Sequence, residues 1–377
     1  GIDASSSGHS VLVAAGTYYE NIEINGKHIA LIGADSSNTI IDGGNAGGVI
    51  KIVNGDTSLI QKFTIQNGSG NPGGGFEISS SNAELDQLMI INNESTNDGS
   101  AIWSSSWGGS LTNSIVQNNY SGNSGALNIQ GSSQITMSNV TISGNTGSIE
   151  GGGIYSYNSS FTFDGGTISN NTASGSGGGI YSRISTVILR GTSIEYNIAS
   201  NYGGGMYHSG QEAIIIGCAI SNNEASTVNI YGGGGGINTE AHMTVIKTSI
   251  TGNTGGGVFA CCGADVTLDG VTISNNESSL VNSSNNYAGG IFFSRSQVTS
   301  IISNSIIWDN DSTDISFDDL AGQIHTLTIE YSNIQAGQGN IDVNGHTLNW
   351  GSGNIDTDPL FADTANGNYS LQSGSPA

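Results

Sequence analysis

Cations, cysteines and prolines are all scarce in this chain. Seven Lys and Arg stand against 30 Asp and Glu in 377 residues, a formal net charge of −23. That balance argues against nucleic acid as a partner, because neutralising phosphates takes clustered Lys and Arg. It argues equally against docking on an anionic membrane surface. No apolar run approaches the ~18 residues of a spanning helix, so membrane insertion is not expected. No basic-then-apolar segment opens the chain at Gly1-Ile-Asp-Ala, and a mature or trimmed start is the expectation. The cysteines are Cys218 and the adjacent Cys261-Cys262. They make no disulfide framework, and sequence neighbours bridge only with strain, so unpaired thiols are expected.

What is abundant is glycine, 59 residues of it, mixed with Ser and Asn. Without a period such a composition reads as low complexity. A period is present. A Gly-Gly-apolar-aromatic string recurs with its large apolar residue at Phe76, Ile102, Leu127, Ile154, Ile180, Met206, Ile237, Val258 and Ile291. A second string, typified by Thr167-Ile168-Ser169-Asn170-Asn171, recurs at Ile65, Ile90, Val116, Ile142, Ile168, Ile194, Ile220, Ile250, Ile273 and Ile307. Both keep a spacing close to 26 residues. Between them lies a third alternating run, as in Phe161-Thr-Phe163 and Val187-Ile-Leu189.

Each unit therefore holds three short strands of period two, separated by Gly, Ser and Asn turns. Helical spacing and helix caps are missing. A unit this small cannot bury its own apolar face, whereas a stack of them can. The predicted fold is all-β: a single-stranded right-handed parallel β-helix solenoid with three strands per coil. It is read as one domain over 1–377, with N-terminal coils at 1–60, regular repeats at 61–308, and irregular C-terminal coils and a closing segment at 309–377. Side loops are expected at about 225–234 and 278–288, where the spacing lengthens.

Alternation assigns faces. In Gly-Gly-Ile154-Tyr155-Ser156-Tyr157, Ile and Ser should point inward and both Tyr outward. An Asn column, Asn93, Asn119, Asn145, Asn171, Asn197, Asn223, Asn253, Asn276 and Asn310, fits turns with left-handed backbone and amide bonding from coil to coil. Some of these positions match Asn-x-Ser/Thr; the structural role outweighs glycosylation.

The strings resemble known families. Gly-Gly-Gly-Ile-Tyr with Ile-x-x-Asn resembles the paired repeats of the polymorphic outer-membrane protein family, with Gly for Ala and Ile or Val for Phe. Val11-Leu-Val-Ala-Ala-Gly-Thr-Tyr-Tyr-Glu-Asn-Ile is similar to the opening coil of the pectate-lyase-like β-helix superfamily. Asp356-Thr-Asp-Pro-Leu-Phe-Ala-Asp and Asn366-Gly-Asn-Tyr-Ser-Leu-Gln-Ser-Gly-Ser-Pro-Ala resemble the closing segment of bacterial secreted right-handed β-helix proteins. The resemblance implies a bacterial protein that is secreted or displayed at the cell surface, in groups that include adhesins and pectin-degrading enzymes.

The enzymatic strings of that superfamily are missing. A lyase needs carboxylates for Ca²⁺ and an Arg or Lys to take the proton, but no Arg neighbours a Pro. Gly-His-Gly and Arg-x-Lys, expected of a galacturonan hydrolase, are absent, as is the esterase Gly-x-x-Asp-Phe. Arg190 should pair with Asp164 of the neighbouring coil, Arg183 should lie beside Tyr157, and Arg295 falls just past a first strand. His208 and His242 read as ordinary core-edge or loop residues. The acidic stretch with Asp309, Asp311, Asp314 and Asp318-Asp319 offers hard oxygens for Ca²⁺; a solvated acidic loop is the alternative, and no other cofactor is indicated.

Two faces remain as candidate surfaces. The outward position after each first-strand apolar residue is rich in aromatics: Trp103, Tyr155, Tyr181, Tyr207, Phe259 and Phe292, with Trp107, Tyr157 and Arg183 nearby. Exposed, such a row would stack on sugar rings or pack against a protein partner; packed on itself, it would be a stabilising ladder. The third strand shows rows of hydroxyls, Thr141/Ser143, Thr167/Ser169, Ser249/Thr251 and Thr272/Ser274, interrupted by Gln117, Glu195 and Ala219. They resemble the Thr arrays of ice-binding solenoids. The expected function is adhesion or glycan binding without catalysis, through the aromatic row. A lyase or hydrolase of acidic glycans, and a structural spacer or self-associating filament subunit, are the alternatives.

Overall fold

The computed structural model describes residues 1–226, 233–278, 287–295, 297–318 and 324–377. The expected side loops at 225–234 and 278–288, and Asp319, lie largely or wholly outside these residues. The chain forms two compact units, Gly1–Ser193 and Ile194–Ala377.

In the first unit the Gly-Gly strings become strands Ile50–Val53, Phe76–Ser81, Ile102–Trp107, Leu127–Gln130, Ile154–Tyr157 and Ile180–Arg183, each paired in parallel with the next. The register superposes Ile50, Phe76, Ile102, Leu127, Ile154 and Ile180, and all are buried. Two residues on, Ile52, Ile78, Ser104, Ile129, Ser156 and Ser182 form a second buried file. Burying each large aliphatic chain contributes roughly 1.5–3 kcal/mol. These interior files are what single repeats lack and a stack supplies.

The other two runs build one further sheet, also parallel. In mid-unit they merge into single strands, Gln134–Ser143 and Ser160–Ser169, bent at Asn139 (φ 53°) and Gly165 (φ 69°). A left-handed residue there replaces the multi-residue turn that the sequence predicts. A fourth set of two-residue strands, Glu94–Ser95, Tyr120–Ser121, Thr146–Gly147 and Thr172–Ala173, follows the Asn column. Sequence reading missed it, since two residues show no alternation.

The asparagines stack inside the coils. Asn119 Nδ2 donates to Asn145 Oδ1 at 3.0 Å and to the Ile90 carbonyl at 2.9 Å, and Asn145 Oδ1 also accepts the Asn119 backbone N–H at 3.0 Å. Asn93 and Asn145 repeat the pattern. The left-handed residue is the one before each ladder asparagine, such as Asn92, Asn118, Gly144 and Asn170. Turn and ladder are thus separate tasks given to adjacent residues. Gly153 makes room for the ladder: an added Cβ would sit 2.7 Å from the Gly179 carbonyl oxygen and 3.2 Å from Asn171 Nδ2.

The second unit follows the same plan through Met206–Ser209, Ile237–Thr239, Val258–Cys261, Ile291–Ser294, Ile315–Phe317 and Ile341–Asp342. Its ladder runs Asn197, Asn223, Asn253, Asn276, Asn310. Through Asp309–Asp314 the described residues keep the register of the coils. Ile307 pairs with Ile273 and Ile315 with Ile291, in register. The interior there carries rings: Phe293 and Phe317 stack at 5.1 Å, with His325 against both and His346 against Phe317. An antiparallel pair, Phe361–Asp363 with Asn368–Leu371, closes the chain.

Candidate functional site

Half of the aromatic row is buried: Tyr181, Phe259 and Phe292, with Trp103, Tyr155 and Tyr207 half-buried. In the first unit Tyr155 and Tyr181 stack nearly parallel, 5.3 Å apart and 3° between planes, because the register places them opposite one another on adjacent coils. Tyr181 is 4% exposed and hydrogen-bonded to Glu150. Burial, then the Glu150 charge, pushes the Tyr155 phenol up to about 12; burial likewise raises the Tyr181 phenol and the Glu150 and Asp98 carboxyls. Trp107 is buried, its indole N–H donating to the Ala83 carbonyl at 2.9 Å. Only Tyr157 and Arg183, adjacent in register, are exposed here, with Trp103 and Tyr155 half-buried.

In the second unit Phe259 and Phe292 are buried under Tyr287, whose ring meets Phe292 edge-on at 4.8 Å. Tyr207 is half-buried and donates to Glu240 Oε1 at 2.6 Å. The expectation that Trp107, Tyr181, Phe259 and Phe292 stand outward on an open face is thus corrected. Tyr287 covers Phe259 and Phe292, and Glu150 bonds Tyr181, whereas Trp107 follows the left-handed Ser106 (φ 57°), where alternation no longer sets the side. In the first unit Tyr155 and Tyr181 stack on each other, while Tyr157 and Arg183 stay exposed.

The acidic residues also part company. Asp314 occupies the place of the second glycine in its string, opposite Gly290, and is fully buried. Its Oδ1 accepts the ladder amide of Asn310 at 2.9 Å, Asn340 lies against the carboxylate, and Oδ2 has no close hydrogen-bond partner among the described residues. Burial lifts its carboxyl to about 6. Asp309 and Asp311 instead line an open cavity of about 500 Å³ with Asn275, Glu277 and Gln335. The three aspartates do not converge on one ion. Arg190 and Asp164 pair as expected at 3.2 Å, exposed, a contact of ~0–1 kcal/mol.

His208 is no edge residue: it is fully buried, and neither ring nitrogen has a partner among the described residues. His242 opens the strand His242–Ile246 at the edge of the core, half-buried, and binds Asp265 Oδ2 at 2.7 Å.

A groove of about 620 Å³ lies on the third-strand face of the second unit. Its floor carries Ser221, Ser249, Thr251 and Thr272, aligned by the register Ala219–Ser249–Thr272 and Ser221–Thr251. One side is set by the left-handed positions Tyr196, Asn222, Gly252 and Asn275, whose backbone turns chain direction just before the ladder asparagine. The other side is the closing segment, Thr364–Gly367 with Tyr369 and Ser370. Tyr369 hydrogen-bonds Asn275, and burial raises its phenol. Among the described residues the lining holds no Lys, Arg or His. The hydroxyl rows visible in the sequence were the signal for this groove; its far side comes from the closing segment, which no repeat pattern reveals. Hydroxyls, amides and two phenols in one trough can exchange hydrogen bonds with a polyhydroxylated chain and stack on its rings.

Similar solved structures include two Azotobacter vinelandii proteins and a lyase. The A-module of mannuronan C-5 epimerase AlgE4 is 12% identical over 92% of this chain and 91% of that one, with a TM-score of 0.40. The A-module of mannuronan C-5 epimerase AlgE6 is 12% identical over 95% and 93%, with a TM-score of 0.36. Pectate lyase Pel9A is 13% identical over 100% and 83%, with a TM-score of 0.38. No curated protein matches the sequence. A family model described as the right-handed beta helix region matches residues 152–355, more than half of the chain. Its parallel coils and that match together make this chain a member of the right-handed β-helix family.

Proposed function

We propose that this is a secreted or surface-displayed, non-catalytic β-helix that binds an uncharged polysaccharide in the third-strand groove of its second unit. The observation that carries the reading is the lining: serine and threonine hydroxyls in register, asparagine amides, and the phenols of Tyr196 and Tyr369. The lack of cations among the described lining residues, with a net charge of −23, turns polyuronates away and favours neutral sugars. Adhesion to a cell or matrix would follow from the same contact.

A second reading is hydrolysis. The neighbouring acidic cavity shares Asn275 with the groove and presents Glu277, Asp309 and Asp311, and paired carboxylates are the tools of glycoside cleavage. A panel of neutral and acidic polysaccharides separates the two, with retention and product ends measured on each member. Binding of neutral members without new reducing or unsaturated ends supports the proposal. Turnover of any member that stops in an Asp309→Asn variant supports hydrolysis instead.

A further inference from the structure

We propose that Cys261, Cys262 and Glu240 of the second unit form a binding site for a thiophilic dication of the zinc class. The site is built by the coil itself. Thr239 pairs with Ala260 in the parallel register, so the next residues, Glu240 and Cys261, fall in one file on adjacent coils. Neighbours along a strand ordinarily point to opposite faces. Cys262, however, lies just past the strand in the left-handed region at φ 63°, and this brings its thiol back beside that of Cys261, Sγ to Sγ 2.6 Å. One ligand atom from each of the three residues lies within 4.8 Å of the others, the one such trio among the described residues.

The surroundings suit a bound ion. Cys261 is buried among Phe259, Tyr287 and Phe292, while Cys262 is exposed and opens the way in. Tyr207 donates to Glu240 Oε1 at 2.6 Å, which orients the carboxylate as an outer hydrogen bond orients a metal ligand. Two thiolates and a carboxylate select zinc or cadmium over calcium or magnesium, which take hard oxygens. On binding, the two thiol protons leave to solvent and two metal–sulfur bonds form, with no change of oxidation state; water takes the fourth position. Tetrahedral ligation at ~2.3 Å places the sulfurs about 3.8 Å apart, so the exposed Cys262 thiol must swing outward by roughly 1 Å.

The test titrates fully reduced protein with Cd²⁺, reading the ultraviolet thiolate-to-metal charge-transfer band, and with Zn²⁺ by calorimetry. One ion per chain is expected. Cys262→Ser should abolish the band and weaken binding at least 100-fold, and Glu240→Gln should weaken it about tenfold. Cys218→Ser, whose thiol lies elsewhere and donates to the Ile216 carbonyl, should change nothing. Cys262 is exposed, so its variant keeps the test decisive if Cys261→Ser fails to fold. Wild-type affinity no better than that of Cys262→Ser, or loss of binding in Cys218→Ser, would overturn the site. So would isolation of the chain with Cys261 and Cys262 joined in a disulfide that resists reduction.

Discussion

Asp314 shows how one position can be misjudged from its neighbours in sequence. Beside Asp309 and Asp311 it reads as a cation ligand, yet the coil register puts it where other coils carry glycine, facing the end of the asparagine ladder. There it accepts the Asn310 amide and is buried. Its carboxyl is raised from 3.8 to about 6, so the folded chain holds a proton that the unfolded chain releases. The associated stability is full below about pH 3.8 and is lost as pH rises through 6. Asp314→Asn keeps the accepting oxygen and removes the charge. It should be more stable than the wild type by up to roughly 3 kcal/mol at pH 8 and equal to it near pH 4. Urea unfolding at the two pH values checks this, and equal stability at pH 8 would show the carboxylate to be solvated.

Among the elements, the asparagine ladder was legible and its working was only half so. A residue recurring every 26 positions must serve each coil in the same way, and the sequence shows that much. It does not show which of two adjacent residues turns the chain and which bonds to the next coil. The structure divides them, with Asn118 left-handed and Asn119 in the ladder. Asn145→Ala should therefore cost about 3 kcal/mol in chemical denaturation. It takes the acceptor of the buried Asn119 backbone N–H and one of the donors to the Val116 carbonyl and to Asn171 Oδ1, which keeps the Asn145 backbone N–H. Asn139→Ala, at an exposed left-handed turn, should cost about 1 kcal/mol. Equal losses at the two positions would mean that the ladder contributes no more than a turn does. The two-residue strands stayed hidden, and so did the covering of the aromatic row. Alternation fixes the side of a strand on which a residue lies, but loops packed over that side leave no periodic trace.

For the molecule as a whole, fold and family were readable and the binding surface was not. Two strings in step forced a stack of parallel coils, whereas the groove depends on a non-repeating segment near the C-terminus. Two interior histidines contribute to the acid response expected of the second unit. His208 and His325 are both lowered from 6.5 to about 4, by burial first and, for His325, by His346 next. Neutral in the fold and free to charge when unfolded, they contribute stability above pH 6.5 that is lost as pH falls towards 4. For His208 the loss is roughly 3 kcal/mol; Asp314 runs the other way. Melting temperature should fall between pH 7 and 4, and His208→Leu should flatten that slope. An unchanged slope in the variant would place the acid sensitivity elsewhere.

The role assigned to the groove is tested most directly by isothermal titration of the neutral polysaccharide retained best in the panel. Wild type, Ser249→Trp, which fills the trough, and Tyr157→Ala, which strips the exposed end of the first unit's aromatic row, would be compared. Loss of at least tenfold in affinity for Ser249→Trp, with Tyr157→Ala binding as wild type does, is the predicted result. Undiminished binding by Ser249→Trp, or loss confined to Tyr157→Ala, would contradict it.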